Sequence, residues 1–181
     1  MKKVHFLFYI LTLISTILTA QVTEPEFIGE VLLLNEDSSL TQLDKEIGDL
    51  VSGISWSTNS WDALTLEVIG NKSQLRLQLK SLQLIVRAVD NNSDPLSIIS
   101  IYKFKTKKKK RKVLLSENNS GTLLKSKTHS ENIIRFSGKK YGDASYIIQL
   151  TDLEIGEYGI LVLNPNSNDQ KRIVISCFSI Y

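Results

Sequence analysis

The stretch LTLEVIGNKSQLRLQLK, residues 64–80, shows the pattern that decides the fold class. Apolar and polar residues alternate over residues 64–68 and again over residues 75–79. A period of two is typical of β-strands with one buried face, and the GNK sequence at 70–72 is typical of a turn. The stretch therefore predicts two strands, which we expect to pair as a hairpin.

Similar short runs, separated by Asn, Ser, Gly and Asp, continue along the chain. Beyond the opening stretch, they predict strands at 97–105, 111–116, 131–137, 144–150, 157–163 and 171–179. The phase of alternation shifts by one residue at Ser81, so we expect a bulge or a strand break there. Residues 40–50 also carry apolar side chains at helical spacing, which leaves a short helix as the alternative to a strand in that segment.

A local motif favours one arrangement of these strands. The sequence TDLEIGEY, residues 151–158, places Tyr158 two residues after a glycine at the start of an apolar strand. This resembles the tyrosine corner of immunoglobulin-like domains, although Ile160 stands where antibody domains have a cysteine. The prediction is an all-β fold: a two-sheet antiparallel sandwich, immunoglobulin-like or a related Greek key.

The first residues predict export. Lys2 and Lys3 precede an uncharged apolar run, residues 6–20, that ends in Thr-Ala before Gln21. A basic start, an apolar middle and a small-residue end are typical of a signal peptide. Fifteen helical residues span roughly 22 Å, less than the ~30 Å of a membrane core. We therefore expect a signal peptide at 1–20 and a single domain at 21–181. We expect that domain to have no membrane span and to be periplasmic, extracellular or on the cell surface.

The positive charge of the mature chain is concentrated in one run. Residues 21–181 hold 20 basic and 19 acidic residues, and eight of the basic ones fall within KFKTKKKKRK, residues 103–112. Such a run could bind an anionic glycan or envelope polymer, or it could be a solvated hairpin end whose lysines protect a strand edge. No aromatic residues interleave with its core, which argues against nucleic acid. The candidate binding residues are Lys107, Lys108, Lys109, Lys110, Arg111 and Lys112.

Few residues of the mature chain offer catalytic chemistry. It contains one histidine, His129, and one cysteine, Cys177. Zinc sites need more such ligands, and no glycine-rich phosphate loop is present. We therefore expect no metal, no cofactor and no enzymatic activity, and a buried Cys177.

A carbohydrate-active enzyme remains the alternative, since a glycosidase needs only two carboxylates. Trp56, Trp61 or a tyrosine would be its sugar platform, and the candidate carboxylates are Asp90, Asp94, Asp152, Glu154 and Glu157. The DNNSD sequence at 90–94 lacks the glycine and glutamate that complete an EF-hand. We therefore expect a turn stabilised by its own side chains, with a looser calcium site as the alternative.

Several segments resemble exported proteins of Bacteroides-type bacteria: IVRAVDNNSDPLSIISIYKF (85–104), RK (111–112), KKYGDASYIIQL (139–150) and GEYGI (156–160). The resemblance implies export and a β-sandwich but no activity. It also implies that the thiol of Cys177, where the family has threonine, is not functional, and that Arg87, Asp90 and Asp94 form an ionic brace.

The sequence therefore predicts a non-catalytic binding or structural module of the cell envelope. Its expected partner is an anionic polymer or another envelope protein.

Overall fold

A computed structural model describes residues 23–54, 61–78, 80–119, 125–128, 132–169 and 172–181. The predicted signal peptide, Trp56 and His129 lie outside these ranges. The described chain is almost entirely β-structure. Its strands are β1 (Val31–Leu34), β2 (Leu40–Gln42), β3 (Asp44–Ile54), β4 (Trp61–Ile69), β5 (Arg76–Leu77), β6 (Leu82–Arg87), β7 (Ile99–Lys107), β8 (Lys110–Asn119), β9 (Lys125–Thr128), β10 (Ser137–Tyr141), β11 (Ser145–Leu150), β12 (Gly156–Val162) and β13 (Arg172–Ile180). One short helix, α1 (Pro95–Ile98), precedes β7.

The strands form an open sheet and a closed one. The open sheet has five strands in the order β10-β11-β6-β1-β2, all antiparallel. The second sheet runs β12-β7-β8-β4-β3-β13, and its two end strands β12 and β13 also pair with each other. It therefore closes into a six-stranded barrel. Strand β9 extends it beside β8, and β5 adds the one parallel pairing, to β13.

This closure differs from the predicted sandwich of two open sheets. The all-β, antiparallel character is confirmed. The difference arises because β12 is paired along both of its edges, to β7 and to β13. Pairing on both edges removes the exposed strand edges that an open sheet would leave on either side of β12.

Two apolar cores result, and alternation within single strands supplies both. In β7, Ile99 and Ile101 face the five-stranded sheet, whereas Tyr102 and Phe104 belong to the barrel interior. In β13, Phe178 packs in the first core and Cys177 in the second. These strands are buried on both faces because they form a wall shared by the barrel and the sandwich.

The hairpin predicted at 64–80 and most of the strand predicted at 131–137 are wrong. Strand β4 pairs with β3 and β8 rather than with the segment after the turn, and residues 76–77 form the short β5 against β13. Residues 40–50, for which a helix was the alternative, belong to β2 and β3 except for Leu43, which lies between the two strands. Residue 131 of the strand predicted at 131–137 lies outside the described residues. In the described part of that segment the strand begins only at Ser137, and Ile133 makes a single bridge to Tyr102. The break expected at Ser81 is confirmed, since β5 and β6 lie in different sheets.

The tyrosine corner is present. The hydroxyl of Tyr158 donates to the carbonyl of Glu154, four residues upstream, at 2.7 Å. Its ring stacks on Phe178 with the centroids 5.2 Å apart. Burial raises the pKa of the Tyr158 hydroxyl. The motif therefore fixes the start of β12, although the surrounding sheet is a barrel.

Candidate functional site

A cleft opens where the barrel closes. Strands β12 and β13 pair from Gly156–Ile180 to Ile160–Ser176 and then separate, although both strands continue. The gap leads into a cavity of about 870 Å³, which we call the seam cleft. It is lined by the segment before β1, residues 45–47 of β3, α1, the end of β12 with the loop after it, and residues 172–174 of β13. Its volume lies within the range of small-ligand sites.

The lining of the seam cleft is largely apolar. Phe27, Ile47, Leu163 and Val174 each line it, and each is more than half exposed, at 57%, 51%, 62% and 55%. Large apolar side chains that are grouped and left accessible to solvent usually mark a site of interaction. The cleft therefore has the composition of a binding surface.

Four charged residues also line the cleft: Lys45, Glu46, Asp169 and Arg172. The Lys45 ammonium lies 3.3 Å from a carboxylate oxygen of Glu30 and 5.3 Å from the centroid of the Phe27 ring. The same Glu30 carboxylate accepts the N–H of Phe27 at 3.1 Å. Burial would raise the pKa of Glu30, but these hydrogen bonds and Lys45 hold it below its ordinary value. This network positions one wall of the cleft.

The basic run lies on the β7–β8 hairpin, and the structure divides it. Lys107, Lys108 and Lys109 are exposed at the tip, where Lys108 adopts a positive φ of 56°. Lys110 and Lys112 both pair with the carboxylate of Glu67. The hydrogen bonds from these two lysines lower the pKa of Glu67. Among the candidate residues 107–112, Lys107, Lys108 and Lys109 therefore present cations that form no ion pair with the described residues.

The remaining member of the run is inside the barrel. The Arg111 side chain has no exposed surface, and it donates to Ser73 Oγ at 2.7 Å and to the Gly70 carbonyl at 3.2 Å. Its guanidinium also pairs with Glu46 and lies 3.8 Å from Glu157. Arg111 is thus a structural cation rather than part of an accessible patch.

The interior position of Arg111 had a signal in the sequence. Val113 and Leu115, two and four residues later, belong to the barrel core, so alternation places Arg111 on the same face. Because most of the neighbouring residues are lysines, this alternation of buried and exposed positions was not recognised in the sequence.

The turn at 90–94 is held by its own side chains, as predicted. Asp90 accepts the N–H of Asn92 at 2.8 Å, and Asp94 caps α1 by accepting the N–H of Leu96 at 2.9 Å. The proposed ionic brace is wrong, because Arg87 pairs instead with Glu24, at 2.9 Å.

The other candidate carboxylates are dispersed among structural contacts. Glu154 pairs with Lys103, which lowers the pKa of Glu154. Glu157 accepts hydrogen bonds from the backbone and hydroxyl of Ser73, at 2.7 and 2.9 Å. Asp152 adopts a positive φ of 56° in the turn before β12. Of the expected platform residues, Trp56 and the side chain of Trp61 lie outside what the structure describes.

Cys177 is fully buried in the barrel interior, as predicted. Burial raises the pKa of its thiol far above the ordinary value. In the part of the chain that the structure describes, no cluster of three or more His, Cys, Asp or Glu side chains could hold a metal ion. No helix within the described ranges is long and apolar enough to cross a membrane.

The fold and the cleft define an all-β protein in which a five-stranded sheet packs on a six-stranded barrel with a partly open seam. Comparison with protein-family models, curated proteins and solved structures finds no match. The site is therefore interpreted from its own geometry.

Proposed function

We propose that this chain is an exported, non-catalytic binding module of the cell envelope whose ligand enters the seam cleft. One observation carries the proposal: four large apolar side chains stay more than half exposed around a cavity of about 870 Å³. Leaving apolar surface in water forgoes the roughly 25 cal/mol per Å² that burial would provide. A ligand that covers this surface would recover that free energy.

The carboxyl groups of the described residues bear on the carbohydrate-active alternative. A glycosidase needs one carboxylic acid whose pKa is raised so that it can protonate the leaving group. Among the described residues, each carboxyl group whose pKa is shifted has it lowered, namely Glu24, Glu30, Asp37, Glu67 and Glu154. The carbohydrate-active alternative stays a prediction without a located acid.

The test uses a neutral apolar dye, N-phenyl-1-naphthylamine, whose fluorescence rises when it leaves water. Ile47→Lys and Val174→Lys place a charge on the cleft wall. Each should weaken dye binding at least about tenfold, because the ammonium loses hydration when the dye covers it. Val51→Lys is the matched control, since Val51 is an exposed residue on the same face of β3, outside the cleft lining. Equal dye affinity in all three variants would contradict the proposal.

The exposed hairpin tip supports a second candidate function, adhesion to an anionic polymer. Lys107, Lys108 and Lys109 are all exposed and form no ion pair with the described residues. Binding of dextran sulfate should fall steeply with salt and be lost when all three lysines become serine. Replacing the exposed Lys139 and Lys140 of β10 is the control. Retention of affinity in the triple variant would remove this candidate.

A further inference from the structure

We propose that the seam cleft takes an extended segment of a partner protein as an added β-strand between β12 and β13. This inference rests on the proposed binding function and names its ligand class. Strand addition occurs where a sheet leaves backbone hydrogen-bonding groups unpaired, with pockets for alternate side chains.

The unpaired groups follow from the strand register. The β12–β13 ladder ends at Ile160–Ser176, and its continuation would pair Val162 with Val174, a pair that does not form. The N–H of Leu163 donates to the Ile98 carbonyl, on the β7 side of β12. Because successive residues of a strand direct their backbone groups to opposite edges, those of Val162 point toward β13.

The facing edge belongs to β13. The N–H groups of Ser179 and Tyr181 donate to the carbonyls of Leu75 and Leu77, which lie on the side of β13 away from β12. Val174 differs from these residues by an odd number, so its backbone groups point toward β12. Two strand edges therefore face each other across the cleft without a ladder between them.

The length and side-chain pattern of the cleft fit a short strand. The free edge of β13 from Arg172 to Ile175 is four residues, or about 13 Å. Ile173 and Leu161 face the barrel core, whereas Val174 and Ile47 lie on the outer face. An inserted strand would place alternate side chains against these two apolar surfaces.

The charge of the lining favours an uncharged segment over an anionic amphiphile. The described lining contains two cations, Lys45 and Arg172, and two carboxylates. Lys45 already contacts Glu30, and the Glu46 carboxylate pairs with Arg111. The lining therefore carries no net charge that a fatty-acid carboxylate would neutralise, and it complements an apolar stretch of peptide backbone.

The experiment selects seven-residue peptides displayed on phage against the full chain, with the Val174→Lys variant for counter-selection. Selected peptides are synthesised with blocked ends and their affinities measured by fluorescence anisotropy. We expect alternating apolar sequences. Methylating the amide nitrogens on one edge of a peptide keeps its side chains and removes two or more donors, so affinity should fall at least about tenfold.

A variant of the protein tests the same backbone hydrogen bonds from the β13 side of the cleft. Val174→Pro removes an N–H that faces the seam while the alternate N–H groups that face β3 remain. It should weaken peptide binding at least about tenfold relative to Val174→Ala, with thermal melting as the check on folding.

Two outcomes would overturn the inference: N-methylated peptides that bind equally well, or no peptide that the wild type retains and Val174→Lys loses. If Ile47→Lys and Val174→Lys still weaken dye binding in either case, the proposed binding function stands and the strand partner is wrong. If these substitutions also leave dye affinity unchanged, the proposed function itself is wrong.

Discussion

The guanidinium of Arg111 lies at the end of the barrel where β4 ends and β8 begins, held by Ser73, Glu46 and the Gly70 carbonyl. A buried cation without partners would cost several kcal/mol, so the surrounding carboxylates and carbonyls are a condition of the fold. Glu46 also lines the seam cleft, and this contact connects the buried cluster to the candidate site.

Replacing Arg111 should therefore destabilise the fold strongly. Arg111→Leu removes the cation that both Glu46 and Glu157 approach in the barrel. We expect the free energy of unfolding to fall by about 3–5 kcal/mol. Urea denaturation gives the value. Arg135→Leu, at an exposed arginine, should change it by about 0.5 kcal/mol or less. A loss below about 1 kcal/mol for Arg111→Leu would show that the cluster is not structural.

Single residues were predictable where the signal was local. The Gly-x-Tyr spacing sufficed for the Tyr158 hydrogen bond, because its acceptor lies only four residues away. The burial of Cys177 followed from its place in an apolar strand. The role of Arg111 was not found, because its partners Ser73 and Glu157 are distant in sequence and only the closed barrel brings them together.

At the scale of the strands, close contact inside the barrel depends on a glycine. A β-carbon at Gly159 in β12 would lie 2.5 Å from the Phe104 ring and 2.7 Å from Ile175. The missing side chain lets these two core residues approach the backbone of β12. Gly159 thus fixes how narrow the barrel is beside the seam.

Gly159→Ala should consequently be destabilising, by about 1–3 kcal/mol, because the methyl group overpacks the interior. Thermal melting and urea denaturation measure the effect. Gly53→Ala is the matched control in β3, since its β-carbon would meet nothing closer than the Ala63 carbonyl at 4.0 Å. If the two variants were equally stable, the interior would be looser than the structure describes.

Strand positions were predictable from alternation, but strand partners were not. The run at 64–68 became β4 as expected, yet its neighbours β3 and β8 are set by packing across the barrel rather than by the turn that follows. A turn sequence permits a hairpin without requiring one. The long-range pairing of β12 with β13 and β7 carried no local signal at all.

For the whole molecule, buried and hydrogen-bonded carboxylates tie distant segments together. Glu24 joins the first described residues to the β10–β11 turn through Ser145 and the N–H groups of Asp143 and Ala144. It also pairs with Arg87 at the end of β6. Burial alone would raise the pKa of Glu24, but these contacts lower it. The pKa values of Glu30 and Glu67 are lowered as well.

This pattern predicts acid sensitivity. A carboxyl group whose pKa is lower in the folded state stabilises the fold above its unfolded pKa and loses that contribution as the pH falls through the folded pKa. The free energy of unfolding should be nearly level from pH 7 to about 5.5 and decline below about pH 5. Glu24→Gln should flatten the decline, and Glu36→Gln, at an exposed position, should not. A fold that gains stability on acidification would contradict this account.

The central claim is that the barrel is incompletely closed at the seam, and amide hydrogen exchange resolved by residue tests it most directly. The N–H groups of Val162 and Val174 should exchange at least about a hundredfold faster than those of Ile160 and Ser176, which lie in the paired part of the same strands. A peptide ligand should slow the first pair and leave the second unchanged. Protection of Val162 and Val174 equal to that of Ile160 and Ser176 in the free protein would mean a closed seam, with no site for an added strand.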